Sequence, residues 1–155
     1  MPIVFARVDD RLIHGQVVQA WLPELNIDEV LIPVPKGQER IVNEGLLRLS
    51  LPYEYQLTVL PSHACMRHTL DTTQRIFILA RSLQALADLV EDGLQIKSIN
   101  IGGMHFKENA QKLADNVFLD ENDKRLLKII HGLGIRIETR AVPNANSISL
   151  TEVLS

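Results

Sequence analysis

Seven short apolar runs recur along this chain, and the segments between them carry apolar residues three or four apart. Residues 4–8, 29–34, 55–60, 75–80, 98–101, 116–119 and 136–141 read as strands. Helical spacing falls over residues 13–22 and over 38–49, the latter with Ile41, Leu46 and Leu49 on its apolar side. It returns over 62–69 with Ser62 as cap, and after Ser82 with Leu83, Leu86, Ala87 and Val90. Asp120 caps a further helix with Leu126, Leu127, Ile130 and Leu133 inward, and a short last helix includes residues 151–154. Parallel strands need a helix-length crossover, so regular β-α alternation predicts a sheet with helices packed against it. The expected fold is α/β: a single domain over residues 1–155, with a mostly parallel open β-sheet and helices on both faces. At 155 residues and 46% hydrophobic, the chain can fill one such core. Ligands of these sheets sit at the carboxyl ends of the strands. The loops to inspect follow Val8, Val34, Leu60, Ala80 and Ile101.

A net charge of −3 and a pI near 5.9 argue against a nucleic-acid partner, which calls for a basic stripe. No apolar run approaches the roughly 20 residues that span a bilayer. Arg7, Asp9 and Asp10 come too early for a secretion signal, so a soluble protein is expected. Cys65 is the one cysteine, which excludes an intrachain disulfide and disfavours a thiolate metal site. His63 and His68 flank it at a spacing poor for one helical face, so no metal is expected there. His131 falls in the last turn of a helix, where a cation is favoured. Trp21 reads as core. Neither a Walker A motif nor Gly-x-Gly-x-x-Gly occurs, so nucleotide binding has no support.

The chemistry concentrates in Arg7-Val8-Asp9-Asp10-Arg11-Leu12-Ile13-His14-Gly15-Gln16-Val17, at the end of the first strand. A helix N-terminus at His14 favours an anion. Arg11 and Arg7 suit phosphate oxygens. Asp9 or Asp10 can accept from one imidazole nitrogen and leave the other free to attack; Asp10 is taken as the member of the catalytic set. Gly15 allows close backbone approach, with Gln16 beside it. A histidine between arginines fits phosphoryl transfer, which depends on positioning and charge neutralisation. Gly102-Gly103 reads first as a tight turn and second as backbone near a phosphate; His105 lies just beyond it at the same strand end.

From residue 7 to 18, with Trp21 following, the sequence resembles the signature of the mannose/fructose/sorbose-type IIB components of bacterial sugar phosphotransferase systems. Asn100-Ile101-Gly102-Gly103-Met104 resembles that family's Asn-Ile/Val-Gly-Gly/Asn-Met segment, and Arg140-Ala141-Val142-Pro143 its terminal strand. The resemblance covers essentially the whole chain. It implies that His14 is the phosphorylated residue. The reading of the residues themselves adds Arg11 and Asp10 as catalytic and Arg7, Gly15, Gln16, Arg81 and Ser82 around the phosphate. The resemblance further implies a IIA protein or domain as donor, a membrane IIC/IID permease as acceptor complex, and a cytoplasmic location against that permease. No metal or nucleotide cofactor is implied, and a homo-oligomer is left open.

Two loops depart from the family pattern. Residues 33–38 read Pro-Val-Pro-Lys-Gly-Gln where an acidic stretch is usual, and Ala80-Arg81-Ser82 replaces a Lys or Thr loop. The first departure keeps a second reading alongside the carrier, a regulatory module whose His14 state is read by a protein partner without transport. A response-regulator receiver is rejected, since the third strand ends in Val59-Leu60-Pro61 with no acceptor aspartate.

Overall fold

All seven apolar runs form strands in the computed structural model, which describes residues 2–150. The short helix expected at 151–154 lies outside the described residues. The strands are β1 (Ile3–Asp9), β2 (Glu29–Val34), β3 (Gln56–Pro61), β4 (Ile76–Ala80), β5 (Ser98–Gly103), β6 (Gln111–Ala114), β7 (Val117–Leu119), β8 (Arg136–Thr139) and β9 (Ile148–Ser149). The helices are α1 (Glu44–Ser50), α2 (Ser62–Asp71), α3 (Leu83–Glu91) and α4 (Glu121–Gly132). β6, Gln-Lys-Leu-Ala, and the two-residue β9 carry no apolar run to read. β6 pairs antiparallel with β7 in a small separate hairpin.

The main sheet runs β3-β2-β4-β1-β5-β8-β9. It is parallel except for β9, which runs antiparallel along the edge of β8. Buried on both faces, β4 reads as an unbroken apolar run. Ile76, Ile78 and Ala80 enter one core layer with side chains of α3 and α4, while Phe77 and Leu79 enter a second with Leu47 of α1. The alternation of successive side chains across a strand therefore builds two layers, with helices on both faces. The chain leaves β1 toward β2 on one side and β5 toward β8 on the other. The carboxyl ends of β1 and β5 thus flank the topological switch point, where α/β sheets place their ligands.

Several local expectations are corrected. The helix expected at 13–22 starts only at Gly15 and widens into a π-helical turn over Val17–Trp21, followed by a 3-10 turn over Leu22–Glu24. The helix expected at 38–49 is α1 alone, capped by Asn43, whose side chain accepts from Leu46 N–H at 3.1 Å. Its buried residue is Leu47, whereas Ile41, Leu46 and Leu49 are exposed. Ser62 does not cap α2; its hydroxyl is buried without a partner among the described residues. Leu133 is exposed rather than inward, because α4 ends at Gly132. Ser82 does cap α3, accepting from Ala85 N–H at 3.2 Å, and Asp120 forms a reciprocal capping box with Asp123.

Candidate active site

The strand period decides which acidic residue meets His14. Ala6 and Val8 point into the core layer that holds α3 and α4. Arg7 and Asp9 therefore point to the opposite face, where the chain after β1 folds back with Leu12, Ile13 and Val17 packed down. His14 Nε2 lies 3.0 Å from Asp9 Oδ2. Asp10 faces away from that group: its carboxylate accepts from the backbone N–H of His105, at 2.8 Å, and pairs with the His105 ring. Asp10 is thus corrected from imidazole partner to a tie between the β1 and β5 loops. The alternation of a strand was the signal that could have singled out Asp9.

Asp9 is fully buried and ringed by donors. Oδ1 accepts from Arg11 N–H at 3.1 Å and from Arg11 Nε at 2.9 Å. Oδ2 accepts from Arg7 Nη2 at 3.1 Å and from Arg11 Nη2 at 3.0 Å, besides His14. Burial on its own would raise the Asp9 pKa. Hydrogen bonds from His14 and Arg11 and the charge of Arg7 overcome it and hold the carboxyl well below the usual carboxylate range. An ionised carboxylate can only accept, so Nε2 carries the hydrogen, and Nδ1 is the ring nitrogen that can offer a lone pair. Nδ1 has no hydrogen-bond partner among the described residues, and the His14 side chain is 19% exposed.

The two arginines differ in kind. Arg11 is about one-third exposed, reaching Gln16 Oε1 at 3.2 Å through Nη2 and leaving Nη1 without a partner among the described residues. Arg7 is fully buried, with every guanidinium nitrogen engaged. Beyond Asp9 it donates to Asn100 Oδ1 at 2.6 Å, Gln16 Oε1 at 2.9 Å, and the carbonyls of Arg140 and Ala141 at 3.1 and 3.2 Å. Its assignment as a phosphate ligand is therefore corrected: a group with no free donor and no exposure braces Asp9 instead. Gln16 bridges the two arginines through its oxygen.

Gly102-Gly103 is not a turn but the end of β5. A Cβ on Gly102 would lie 1.9 Å from Arg7 Cζ, and one on Gly103 would lie 2.9 Å from Asp9 Oδ1. The glycines leave the volume that the Arg7–Asp9 pair fills. A Cβ on Gly15 would meet nothing within 4 Å, so the chain beside His14 is open. Arg81 and Ser82 follow Ala80, which pairs in register with Val8, so they share this sheet edge. Neither is bonded to His14 or Arg11, and the Ser82 hydroxyl is the α3 cap. Trp21 is core, as expected, and also a strut. It stacks on Phe5 at 4.9 Å, lies against Arg7 at 4.9 Å and donates to the Ala141 carbonyl at 2.8 Å. Asn100, Glu138 and Trp21 complete the site; Asn100 and Trp21 belong to the segments that carry the family resemblance, though not with these roles, and Glu138 had no signal in the sequence. Among the described residues no group of three or more metal-ligating side chains converges, and no helix is long and apolar enough to cross a membrane.

A doubly covered, mostly parallel α/β sheet with a carboxylate-oriented histidine at its switch point defines the class as α/β domains with a histidine-centred site. The chain belongs to the sorbose-subfamily IIB components of the phosphotransferase system, whose family model matches residues 3–155. It is 31% identical over 145 residues to the sorbose-specific EIIB component of Lacticaseibacillus casei, covering 92% of this chain and 88% of that protein. It is 29% identical over 158 residues to the mannose-specific EIIAB component of Escherichia coli, of which it spans about half, 49%. Among solved structures, the IIB domain of the sorbose permease from Klebsiella pneumoniae superposes with a TM-score of 0.88 at 28% identity, covering 98% of this chain and 95% of that one.

Proposed function

We propose that His14 carries a phosphoryl group, taken through Nδ1 from a phosphohistidine on a IIA protein or domain and passed to a sugar held by a IIC/IID permease. The observation that supports this best is the His14–Asp9 bond, which commits Nε2 and leaves Nδ1 as the unpartnered nucleophile beside Arg11. On acceptance, the Nδ1 lone pair forms the new N–P bond as the donor's N–P bond breaks and its electron pair returns to the donor imidazole. The ring then carries both the phosphoryl group and Nε2–H, and the Asp9 carboxylate stabilises its positive charge. On delivery, a sugar hydroxyl oxygen forms a bond to phosphorus as the Nδ1–P bond breaks, the hydroxyl proton passes to solvent water, and the pair returns to Nδ1. Nε2–H stays in place through both steps.

Arg11 suits the transferring oxygens, since its open Nη1 and a planar fork can follow them. The first amides of the helical turn, at Gly15, Gln16 and Val17, lack intrahelical acceptors and are further donors for the phosphoryl oxygens. Arg81 is kept as a further cation for that edge, with Ser82 beside it. The names of the relatives cover sorbose, mannose, N-acetylgalactosamine and fructose, so the proposal names a carrier and not a sugar.

The test is phosphorylation by a phosphorylated IIA protein. The wild type is expected to take one acid-labile phosphoryl group on His14 and His14→Ala none. Arg11→Lys is expected to slow transfer by roughly tenfold, since it keeps the charge and loses the fork. An acid-stable label, or a label on another residue, overturns the proposal. Delivery to sugar only when IIC/IID membranes are present separates the carrier from a regulatory module.

A further inference from the structure

We infer that Arg7 is a positioning residue that decides which imidazole nitrogen of His14 is phosphorylated, and that Gly102, Asn100 and the carbonyls of Arg140 and Ala141 hold it in that role. The inference rests on the phosphohistidine reading above.

Asp9 orients His14, and it is held by two arginines of unequal freedom. Arg11 is on the surface and is the one able to turn toward an incoming phosphoryl group. Turning withdraws its side-chain bonds from Asp9. Arg7 cannot follow: its guanidinium lies against Trp21, fills the volume left by the missing side chain of Gly102, and is bonded on every nitrogen. Asn100 is itself fixed, donating through Nδ2 to Glu138 Oε1 at 3.1 Å and to the Arg140 carbonyl at 3.3 Å. The cation that stays with Asp9 while Arg11 engages phosphate is therefore Arg7. A carboxylate so held remains ionised and aimed at Nε2, so Nδ1 stays the nucleophile in every turnover. Without Arg7, only the Arg11 backbone N–H stays on Asp9 Oδ1 while the Arg11 side chain engages phosphate; Oδ2 then has no cation beside it, so the carboxylate can tilt or take up a proton, and either ring nitrogen can present its lone pair.

The experiment phosphorylates histidine-15N-labelled protein with a phosphorylated IIA protein and identifies the isomer by heteronuclear NMR of the ring nitrogens. The wild type is expected to give the Nδ1 isomer alone. Arg7→Met is expected to accept phosphate roughly tenfold or more slowly and to give both isomers. Gly102→Ala, which places a methyl group in the guanidinium, is expected to do the same. Arg7→Lys keeps a cation beside Asp9 but cannot span to Asn100 and the two carbonyls, so it is expected to lie between wild type and Arg7→Met in rate and in isomer ratio. An Arg7→Met protein that folds and gives only the Nδ1 isomer at the wild-type rate overturns the inference. If Arg7→Met does not fold, wild-type rate and isomer purity in Arg7→Lys overturn it. Wild-type protein labelled away from His14, or on Nε2, fails the phosphohistidine reading itself. A pure Nδ1 wild type with indifferent Arg7 variants fails this inference only.

Discussion

At the scale of single residues, this site shows what a sequence motif conveys and what it hides. The cluster around His14 and Arg11 stood out because a histidine, two arginines and two aspartates crowd one strand end, although a solvated loop explains such a composition as well, and the structure brings His14 and Arg11 together on Asp9. The roles of Arg7 and Asp10 were not legible, because a motif lists side chains without saying which face of the strand each takes. Arg7 and Asp9 share one face and Asp10 takes the other, so the buried ion pair is Arg7–Asp9. Its acid limb gives a prediction. The native pKa of Asp9 lies well below its unfolded value of about 3.9. The native state therefore binds fewer protons there than the unfolded one. The stability this contributes is present above about pH 4 and is lost as pH falls from there toward the native value. Urea midpoints measured between pH 5 and pH 2.5 should drop for the wild type. Asp9→Asn should be less stable at pH 7 and show a shallower acid-side loss; an equal slope in both proteins would mean that Asp9 is not held ionised by this network.

At the scale of elements, the clearest disagreement between sequence and structure is α1. The spacing of Ile41, Leu46 and Leu49 suggested a helix over residues 38–49 buried along that stripe. The helix is about two turns behind the Asn43 cap, and it buries Leu47 instead. A short helix needs only one side chain in the groove it covers, and the cap rather than the apolar period sets its frame. Leu47 is 8% exposed and packs with Leu51, Val30 and Ile32, while Leu49 is 82% exposed. Leu47→Ala is therefore expected to cost about 2–4 kcal/mol, and Leu49→Ala to stay within about 0.5 kcal/mol of wild type. Denaturant titrations of the two variants check the frame directly, and a larger loss for Leu49→Ala would reject it. By contrast α3 and α4 were readable, since each has a polar cap followed by a sustained apolar stripe. The π-helical turn at Val17–Trp21 was not readable, because its apolar spacing is that of an ordinary helix; Trp21 at its end donates to the Ala141 carbonyl, a partner far away in the sequence.

At the scale of the whole molecule, alternation of strand and helix signals made the parallel sheet legible, while strand order was not, because pairing between distant strands leaves no local pattern. The order matters here: placing β1 between β4 and β5 brings Asn100 and Gly102 beside Arg7, so the site depends on the sheet closing as a unit. Cys65 offers a probe of that unity. It lies on α2, fully buried in the core layer shared by β1, β4, α3 and α4. Burial, with Asp92 adding to it, pushes the Cys65 thiol up to about 12. A thiol so placed has almost no reactive thiolate at neutral pH and no path to reagent while the layer is intact. Labelling by iodoacetamide should be negligible in native protein and fast in denaturant. Across the transition its rate should track the equilibrium unfolding curve from far-UV circular dichroism, because Cys65 is buried where α2 packs on the sheet and α3, inside the core layer itself. If Cys65 instead labels in native buffer at a rate insensitive to low denaturant, α2 opens on its own. The sheet and its site would then not be the single cooperative body that the packing requires.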